Sequence, residues 1–149
     1  MIIDKLGSFD DGSTVTGGST TASADYLDLG VSVPGRKLGV GRPLWLVIAV
    51  TGVAGGDGTD TFTFTLQTDD NTSFSSPTTL ATSVTITGVA NIPAGTRIVI
   101  PVPQNAVFER YVRVGYAVTA DAVLTVDSFL TDQELPDHTA YRDGTTDWD

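Results

Sequence analysis

No cysteine occurs among the 149 residues. Neither a disulfide framework nor a thiolate metal site is therefore available, and apolar burial and backbone pairing must hold the fold. Long apolar runs are also scarce, since the longest is LWLVIAV at residues 44–50. The first twelve residues, MIIDKLGSFDDG, carry charge where a signal peptide needs its apolar region. We expect neither a membrane-crossing segment nor a secretory signal.

Positive charge is scarce, because 18 acidic residues face 8 basic ones and the formal net charge is -10. Such a field repels nucleic-acid phosphates, so we expect no direct nucleic-acid binding. One local exception is Arg36, Lys37 and Arg42, which lie in a stretch without acids between residues 31 and 56. This stretch is either a solvated loop or a docking patch for an acidic protein surface.

Recognisable catalytic sets are missing as well. His138 is the single histidine and lies in a polar stretch beside a proline and an aspartate, without an orienting partner in the sequence. Nucleophile-elbow, zinc-protease and phosphate-loop motifs are absent, and the sequence cannot select a carboxylate pair for glycoside hydrolysis. We predict that the chain is not an enzyme and needs no cofactor.

The residues that are present predict an all-β fold, a single jelly-roll or β-sandwich domain. Short β-branched and aromatic runs alternate with Gly, Pro, Asn and Asp, and no segment has a helical period. In TFTFTLQ, Phe62, Phe64 and Leu66 share one face, as a half-buried strand requires. Because LWLVIAV is apolar on both faces, we predict a mid-sheet strand with its second face covered, and Trp45 in the core. Further strands are predicted at 25–29, 78–86, 96–100, 108–118 and 123–130.

Polar segments are predicted to flank this domain. Residues 1–24 form an N-terminal arm and first strand region, with 7–24 an arm or long loop rich in Gly, Ser and Thr. Residues 25–130 form the sandwich. Residues 131–149 form an acidic C-terminal tail with half of the net charge, and 19 extended residues span about 60 Å at ~3.3 Å each. Such a tail reaches a neighbouring molecule.

One stretch, GGDGTDTFT at residues 55–63, fits the calcium-binding β-roll repeat once. True β-rolls repeat in tandem, because each ion lies between consecutive turns. We therefore interpret residues 55–60 as a hairpin loop whose glycines supply positive φ angles, with no metal site. Weak calcium binding there remains open.

Several segments together resemble a known family. MIIDKLGSF, DYLDLG, GRPLWLVIAV, FTLQTDDNTSFSSP, RIVIPVP and FERYVRVGYAV, in that order, are similar to the small capsid cement, or decoration, proteins of tailed bacteriophages. The resemblance covers roughly residues 1–130, and LQTDDNTSFSSP and RIVIPVP are its most specific parts. The acidic tail departs from the family's compact ending.

The resemblance implies a jelly-roll homo-oligomer, dimer or trimer, on the outer surface of the virion head. It would be made in the cytoplasm of the bacterial host and would bridge neighbouring major capsid protein subunits. Contacts to the capsid or to other subunits are assigned to eight residues: Met1, Ile2, Ile3, Phe9, Arg36, Lys37, Arg42 and Trp148. The alternative is a carbohydrate- or receptor-binding β-sandwich of a phage particle, with an aromatic platform from Tyr26, Tyr111, Tyr116 and Tyr141.

Overall fold

A computed structural model of the chain describes residues 7–30 and 42–132. Within these ranges the chain forms ten β-strands and one short 3₁₀ turn at Val89–Asn91, and no helix there is long and apolar enough to cross a bilayer. The predicted all-β class is confirmed. The strands are β1 Ser8–Thr16, β2 Ser19–Ala22, β3 Leu27–Asp28, β4 Leu44–Ala54, β5 Thr61–Asp69, β6 Thr78–Thr82, β7 Ile86–Thr87, β8 Arg97–Val102, β9 Tyr111–Val118 and β10 Val123–Thr131.

The strands form two antiparallel sheets that pack as a sandwich. Sheet A has the order β1-β10-β4-β8, and sheet B has the order β2-β9-β5-β6, with β3 also paired to β9 and β7 to β5. Apart from β2 to β3 and β5 to β7, which stay within sheet B, successive strands pass from one sheet to the other, which is the jelly-roll arrangement. Strand β4 carries LWLVIAV and lies between β10 and β8, so the predicted mid-sheet position is confirmed.

The core lies between the sheets and is built from alternate residues of their strands. Phe62, Phe64 and Leu66 of β5 are fully buried, as their alternation predicts. The inward side chains of β4, β8, β9 and β10 complete the same cluster. Trp45 does not belong to this cluster, so its predicted core position is wrong. Its neighbours on both sides, Leu44 and Leu46, point inward, and the alternation of a strand turns Trp45 to the outer face.

The N-terminal region is more ordered than its composition predicts. Residues 7–24 were expected to form an arm or loop, whereas most of them lie in β1 and β2. Strand β1 pairs with β10 through two register irregularities, and β2 pairs with β9. Phe9 and Val15 reach the core and are 1% and 2% exposed. The expectation fails because backbone pairing to a neighbouring strand needs few apolar side chains.

Two other predicted strands are shorter than expected. The segment 25–29 keeps only the two residues of β3, and 78–86 is divided into β6 and β7. At the break, Ser83 turns its hydroxyl to accept a hydrogen bond from the backbone N–H of Phe64 at 3.0 Å. The next residue, Val84, is 82% exposed. The side-chain hydrogen bond replaces part of the ladder, so the strand is interrupted there.

Candidate binding surface

At one end of the sandwich lie the starts of β1 and β4 and the ends of β3 and β10. Gly7 precedes β1, Gly30 follows β3, Arg42 precedes β4 and Asp132 follows β10. In sheet A, the Arg42 guanidinium lies 3.2 Å from the Asp132 carboxylate. In sheet B, the N–H of Leu29 donates to the carbonyl of Arg110 at 2.8 Å, just before β9. We call this end, with these flanking residues, the arm end.

Arg42 is the predicted contact residue that the structure places most clearly. Its side chain is 76% exposed and its partner Asp132 is 48% exposed. An ion pair so open to water contributes only about 0–1 kcal/mol, so it is easily exchanged for another carboxylate. Beside Arg42 a shallow depression is lined in part by Leu44, Val102 and Phe108. The arm end of sheet A thus offers one cation next to apolar side chains.

A second group of side chains, which we call the aromatic–arginine cluster, covers the outer face of sheet B at the same end. It consists of Tyr26, Phe74, Arg110, Tyr111 and Arg113. The Tyr26 ring meets the Tyr111 ring edge-on at 5.5 Å between centroids and the Phe74 ring at 6.3 Å. The guanidinium of Arg113 lies 4.3 Å from the Phe74 centroid, and that of Arg110 lies 4.8 Å from the Tyr111 centroid. The cluster therefore combines stacked aromatic area with two cations.

Phe74 reaches this cluster through an unusual backbone conformation. Its φ is 48°, which is sparsely populated for a bulky residue and costs about 1–3 kcal/mol. The loop at residues 70–77 is held in place by the Asp69 carboxylate, which accepts hydrogen bonds from the backbone N–H groups of Asn71 at 3.2 Å and Ser76 at 3.0 Å. The ring is only 6% exposed, so its contacts on the sheet offset the strain.

Arg110 is fixed by a two-point ion pair. Its Nε and Nη2 donate to the two carboxylate oxygens of Asp28 at 2.9 and 3.0 Å. These hydrogen bonds lower the pKa of the Asp28 carboxyl, and the N–H of Gly30 adds to the effect. Arg113 is fixed less firmly, by a single bond from Nε to Gln67 Oε1 at 2.9 Å. A surface with its charges already positioned loses little side-chain entropy when it binds a partner.

A separate polar network lies inside the sandwich and links its two sheets. The Tyr116 hydroxyl donates to Asp10 Oδ2 and also contacts Ser128 Oγ at 2.8 Å, and Ser128 Oγ lies 2.8 Å from the same Asp10 oxygen. The other Asp10 oxygen accepts from the N–H of Ala24 at 2.9 Å. Burial, reinforced by Asp10, raises the pKa of Tyr116 far above its usual value. With all three side chains at most 4% exposed, the network ties β1, β9 and β10 together.

The glycine-rich loop at residues 55–60 lies at the opposite end and is not the predicted hairpin. It joins β4 of sheet A to β5 of sheet B, so it crosses between the sheets. Gly55 and Gly56 have φ of 64° and 75°, which confirms the positive angles. Asp57 Oδ1 accepts from the N–H and the hydroxyl of Thr59, both at 2.7 Å, and Asp60 Oδ2 accepts from the N–H of Asp57 at 2.7 Å. The carboxylates therefore organise their own turn.

Among the described residues, one carboxylate group has the spacing to hold a divalent cation. Ligand atoms of Asp69, Asp70 and Glu109 lie within 4.8 Å of one another. Asp69 is the buried member, and its two oxygens already accept the hydrogen bonds that anchor the loop at residues 70–77. Only Asp70 and Glu109 face water, so this group is better explained as a loop anchor with two solvated neighbours.

The structure places only part of the predicted contact set. Arg42 lies on the arm end, as described above. Phe9 is in the core at 1% exposure, so it has no surface to offer another chain, and we remove it from the set. Strand alternation turns Phe9 inward, which its place in a Gly- and Ser-rich stretch did not indicate. The other six, Met1, Ile2, Ile3, Arg36, Lys37 and Trp148, lie outside the described residues.

Sequence reasoning did not assemble the aromatic–arginine cluster, although a signal for it existed. Phe74 lies in LQTDDNTSFSSP and Arg113 in FERYVRVGYAV, two segments that carry the resemblance stated above. The structure brings these segments into direct contact. No local pattern predicts that a loop returns over the sheet, because the contact depends on the pairing of β5 with β9.

The fold and this surface define a jelly-roll sandwich with a preorganised surface at one end. A family model described as Bbp16 matches residues 9–130, which is most of the chain. The protein therefore belongs to the Bbp16 family and is phage-associated. No curated protein matches the sequence.

Proposed function

We propose that this protein is a capsid cement, or decoration, protein of a phage head. It binds the outer surface of the shell and bridges neighbouring major capsid protein subunits. The observation that carries the proposal is the arm end, where the exposed Arg42 and the aromatic–arginine cluster lie on the same end of the sandwich. Membership of a phage-associated family supports the same assignment.

The mechanism is linkage between binding and assembly. A protein that binds the expanded lattice more tightly than free capsid subunits stabilises the shell by the difference in binding free energy. The contacts need not be strong one by one, because a dimer or trimer presents several copies at once. After the first contact, the remaining ones form at a high effective concentration.

The contacts are assigned by charge and position. Arg42 lies on the arm end and, with Arg36 and Lys37 of the same basic stretch, faces carboxylates of the capsid. The acidic tail after Asp132 starts from the same end and reaches a neighbouring subunit, with Trp148 as its anchor. The aromatic–arginine cluster forms the rigid part of the footprint. Aromatic and arginine side chains are the residue types that dominate binding energy in interfaces.

The second candidate is a sandwich that binds a carbohydrate or a receptor. Tyr26, which is 50% exposed within the aromatic–arginine cluster, favours it, since sugars stack on exposed aromatic rings. Against it, Tyr116 is completely buried and Tyr111 is 9% exposed, which leaves little of the predicted platform on the surface. Binding on a glycan array that is lost in Tyr26→Ala, with no binding to shells, would select this candidate.

Charge reversal at the arm end tests the cement proposal. Arg42→Glu places a carboxylate where the proposal puts an acidic capsid surface, so binding to purified shells should weaken about tenfold or more. Arg97→Glu is the matched control, because Arg97 is also exposed but begins β8 away from the arm end, where it pairs with Ala49 in the middle of β4. Occupancy of expanded shells is measured by sedimentation at several protein concentrations. Equal occupancy by the two variants would remove Arg42 and the arm end from the footprint.

A further inference from the structure

The two arginines of the aromatic–arginine cluster differ in how far their N–H groups are paired. Arg110 gives Nε and Nη2 to the two carboxylate oxygens of Asp28, at 2.9 and 3.0 Å. Arg113 gives only its Nε, to Gln67 Oε1 at 2.9 Å. A guanidinium also has N–H donors on both Nη atoms, and those of Arg113 have no acceptor within residues 7–30 and 42–132. Arg113 is therefore the cation of the cluster that is open to a carboxylate from outside.

The electrostatic surroundings of the two guanidinium groups differ in the same way. The hydrogen-bonded Asp28 carboxylate raises the pKa of Arg110. Desolvation lowers the pKa of Arg113, and the charge of Asp69 offsets this only in part. The Asp69 oxygens accept from the loop at residues 70–77 and make no hydrogen bond to Arg113. Within the described part of the chain, Arg113 is thus a partly buried charge without a bound carboxylate.

Gln67 places further donors next to this guanidinium. Arg113 Nε–H can only donate, so the atom of Gln67 that faces it is the amide oxygen, and the amide nitrogen is left to donate elsewhere. No acceptor for that nitrogen lies in the described ranges. Asp60 Oδ1 is the only buried side-chain polar atom there without a hydrogen-bond partner, so the Nη groups of Arg113 and Nε2 of Gln67 face water. Another molecule can reach them.

Gly115 determines how Gln67 lies on the outer face of sheet B. On this face Arg113 pairs with Gln67, and Gly115 pairs with Thr65. A Cβ at Gly115 would lie 3.2 Å from both Cδ and Nε2 of Gln67 and 2.6 Å from Thr65 Oγ1. The Gln67 amide therefore lies over the glycine, with its oxygen on the Arg113 side. Together Arg113 and Gln67 form a group of outward donors, which we call the donor pair.

The chemistry of the donor pair selects a carboxylate on another protein. The Nη groups of a guanidinium lie in one plane at the spacing of two carboxylate oxygens, and such charge-assisted pairs are short and strong. The Phe74 ring, 4.3 Å from the guanidinium, holds that plane in place. A chain of phosphates is repelled by the formal net charge of -10, and a neutral sugar would leave the charge of Arg113 unpaired. Tyr26, 50% exposed in the same cluster, adds the aromatic area that protein interfaces use.

We propose that the donor pair binds one carboxylate side chain of a major capsid protein subunit. Both Nη atoms of Arg113 donate to its two oxygens, and Gln67 Nε2 donates to one of them. The inference rests on the proposed function, and it names the group on the shell that the aromatic–arginine cluster recognises. Because the pair depends on the planar guanidinium and not on charge alone, lysine cannot replace Arg113.

Replacing Arg113 by lysine tests this geometry without changing the charge. Arg113→Lys should weaken binding to expanded shells about tenfold or more, because an ammonium group cannot form the planar two-point pair. Arg97→Lys is the matched control, since Arg97 is exposed in sheet A, away from the arm end, and it should leave binding unchanged. Occupancy is measured by sedimentation over a range of protein concentrations, and urea unfolding verifies that each variant is folded.

A second variant places the carboxylate inside the chain. Gln67→Glu keeps an oxygen for Arg113 Nε and replaces the amide nitrogen with a second oxygen, so the side chain pairs with Arg113 itself. Shell binding should fall about tenfold or more, because the site is occupied and a further carboxylate is repelled, while the free energy of unfolding in urea should not fall. Thr87→Glu is the control for added charge and should leave shell binding unchanged. It is exposed and pairs with Thr61, about 20 Å from Gln67 along β5 at ~3.3 Å per residue.

The outcomes separate this inference from the proposed function. Weakened binding by Arg113→Lys and by Gln67→Glu, with both controls unchanged, is the expected result. No binding of the unaltered protein to expanded shells would contradict both the function and the inference. If the unaltered protein binds and either variant binds equally well, the inference alone is wrong, and Gln67→Glu decides if Arg113→Lys does not fold. Binding of glucuronate that Arg113→Lys abolishes, with equal binding of both proteins to shells, would make the donor pair a site for an acidic sugar instead.

Discussion

Removing one oxygen atom from the buried network should weaken the whole sandwich. Tyr116→Phe deletes the hydroxyl that donates to Asp10 and contacts Ser128, and it changes little else, because the ring stays in the core. The Asp10 carboxylate then keeps the Ser128 hydroxyl at 2.8 Å and the Ala24 N–H at 2.9 Å. One of its three donors is lost in a place that water does not reach.

The magnitude follows from the kind of bond that is lost. A hydrogen bond to a charged group contributes about 1.5–3 kcal/mol, so we expect the free energy of unfolding to fall by about 2 kcal/mol. For a domain of this size that corresponds to a fall in Tm of roughly 4–8 °C. Urea unfolding followed by circular dichroism measures the change, at fixed protein concentration because an oligomer's stability depends on it. The slope of the transition should not change.

Tyr26→Phe is the matched control, since it removes the same atom from a side chain that is 50% exposed. It should change the free energy of unfolding by no more than about 0.5 kcal/mol. Ser128→Ala combined with Tyr116→Phe should cost less than the sum of the two single changes, because both act on one carboxylate. If Tyr116→Phe costs no more than the control, the network does not hold the sheets together and the reasoning is wrong.

Three further outcomes are expected. Gly56→Ala should lower the free energy of unfolding, measured in urea, by about 2–3 kcal/mol, because φ is 75° and a Cβ would lie 2.5–2.8 Å from three side-chain atoms. Gly58→Ala should be nearly neutral in the same measurement, because a Cβ at Gly58 would have no atom within 4 Å. The raised pKa of Tyr116 keeps its phenol protonated in the folded protein, so its contribution to the free energy of unfolding is complete below about pH 10 and is lost as the pH rises further. Between pH 9 and 11 the Tm of Tyr116→Phe should therefore fall less than that of the unaltered chain. An equal fall would contradict this. Asp69→Ala should speed limited proteolysis within residues 70–77, since it removes the acceptor that anchors this loop, and an unchanged rate would assign the anchoring to other contacts.

Sequence reasoning predicted those parts of the fold in which one face of a strand differs from the other. Phe62, Phe64 and Leu66 were placed in the core by alternation alone, and their burial is complete. LWLVIAV was placed mid-sheet with a covered second face because it is apolar on both sides, and Val47 on its outer face is 0% exposed. Such patterns are local, so they can be read without knowing the partner strand.

The parts that were missed depend on partners far along the chain. Strand β1 contains few apolar residues, and its stability comes from pairing with β10 and from Asp10, whose partner Tyr116 is 106 residues away. The contact of Phe74 with Arg113 likewise forms only when β5 and β9 are neighbours. Composition marks these residues as polar or loop-forming, and only the topology gives them their role.

Sedimentation of the unaltered protein with phage shells is the most direct test of the proposed function. Purified protein is mixed with expanded shells that lack it, with unexpanded shells and with free capsid subunits. The proposal predicts saturable binding to the expanded shells alone, together with greater resistance of those shells to heat. Binding to none of the three, or equal binding to all of them, would contradict a cement that stabilises the expanded lattice by differential affinity.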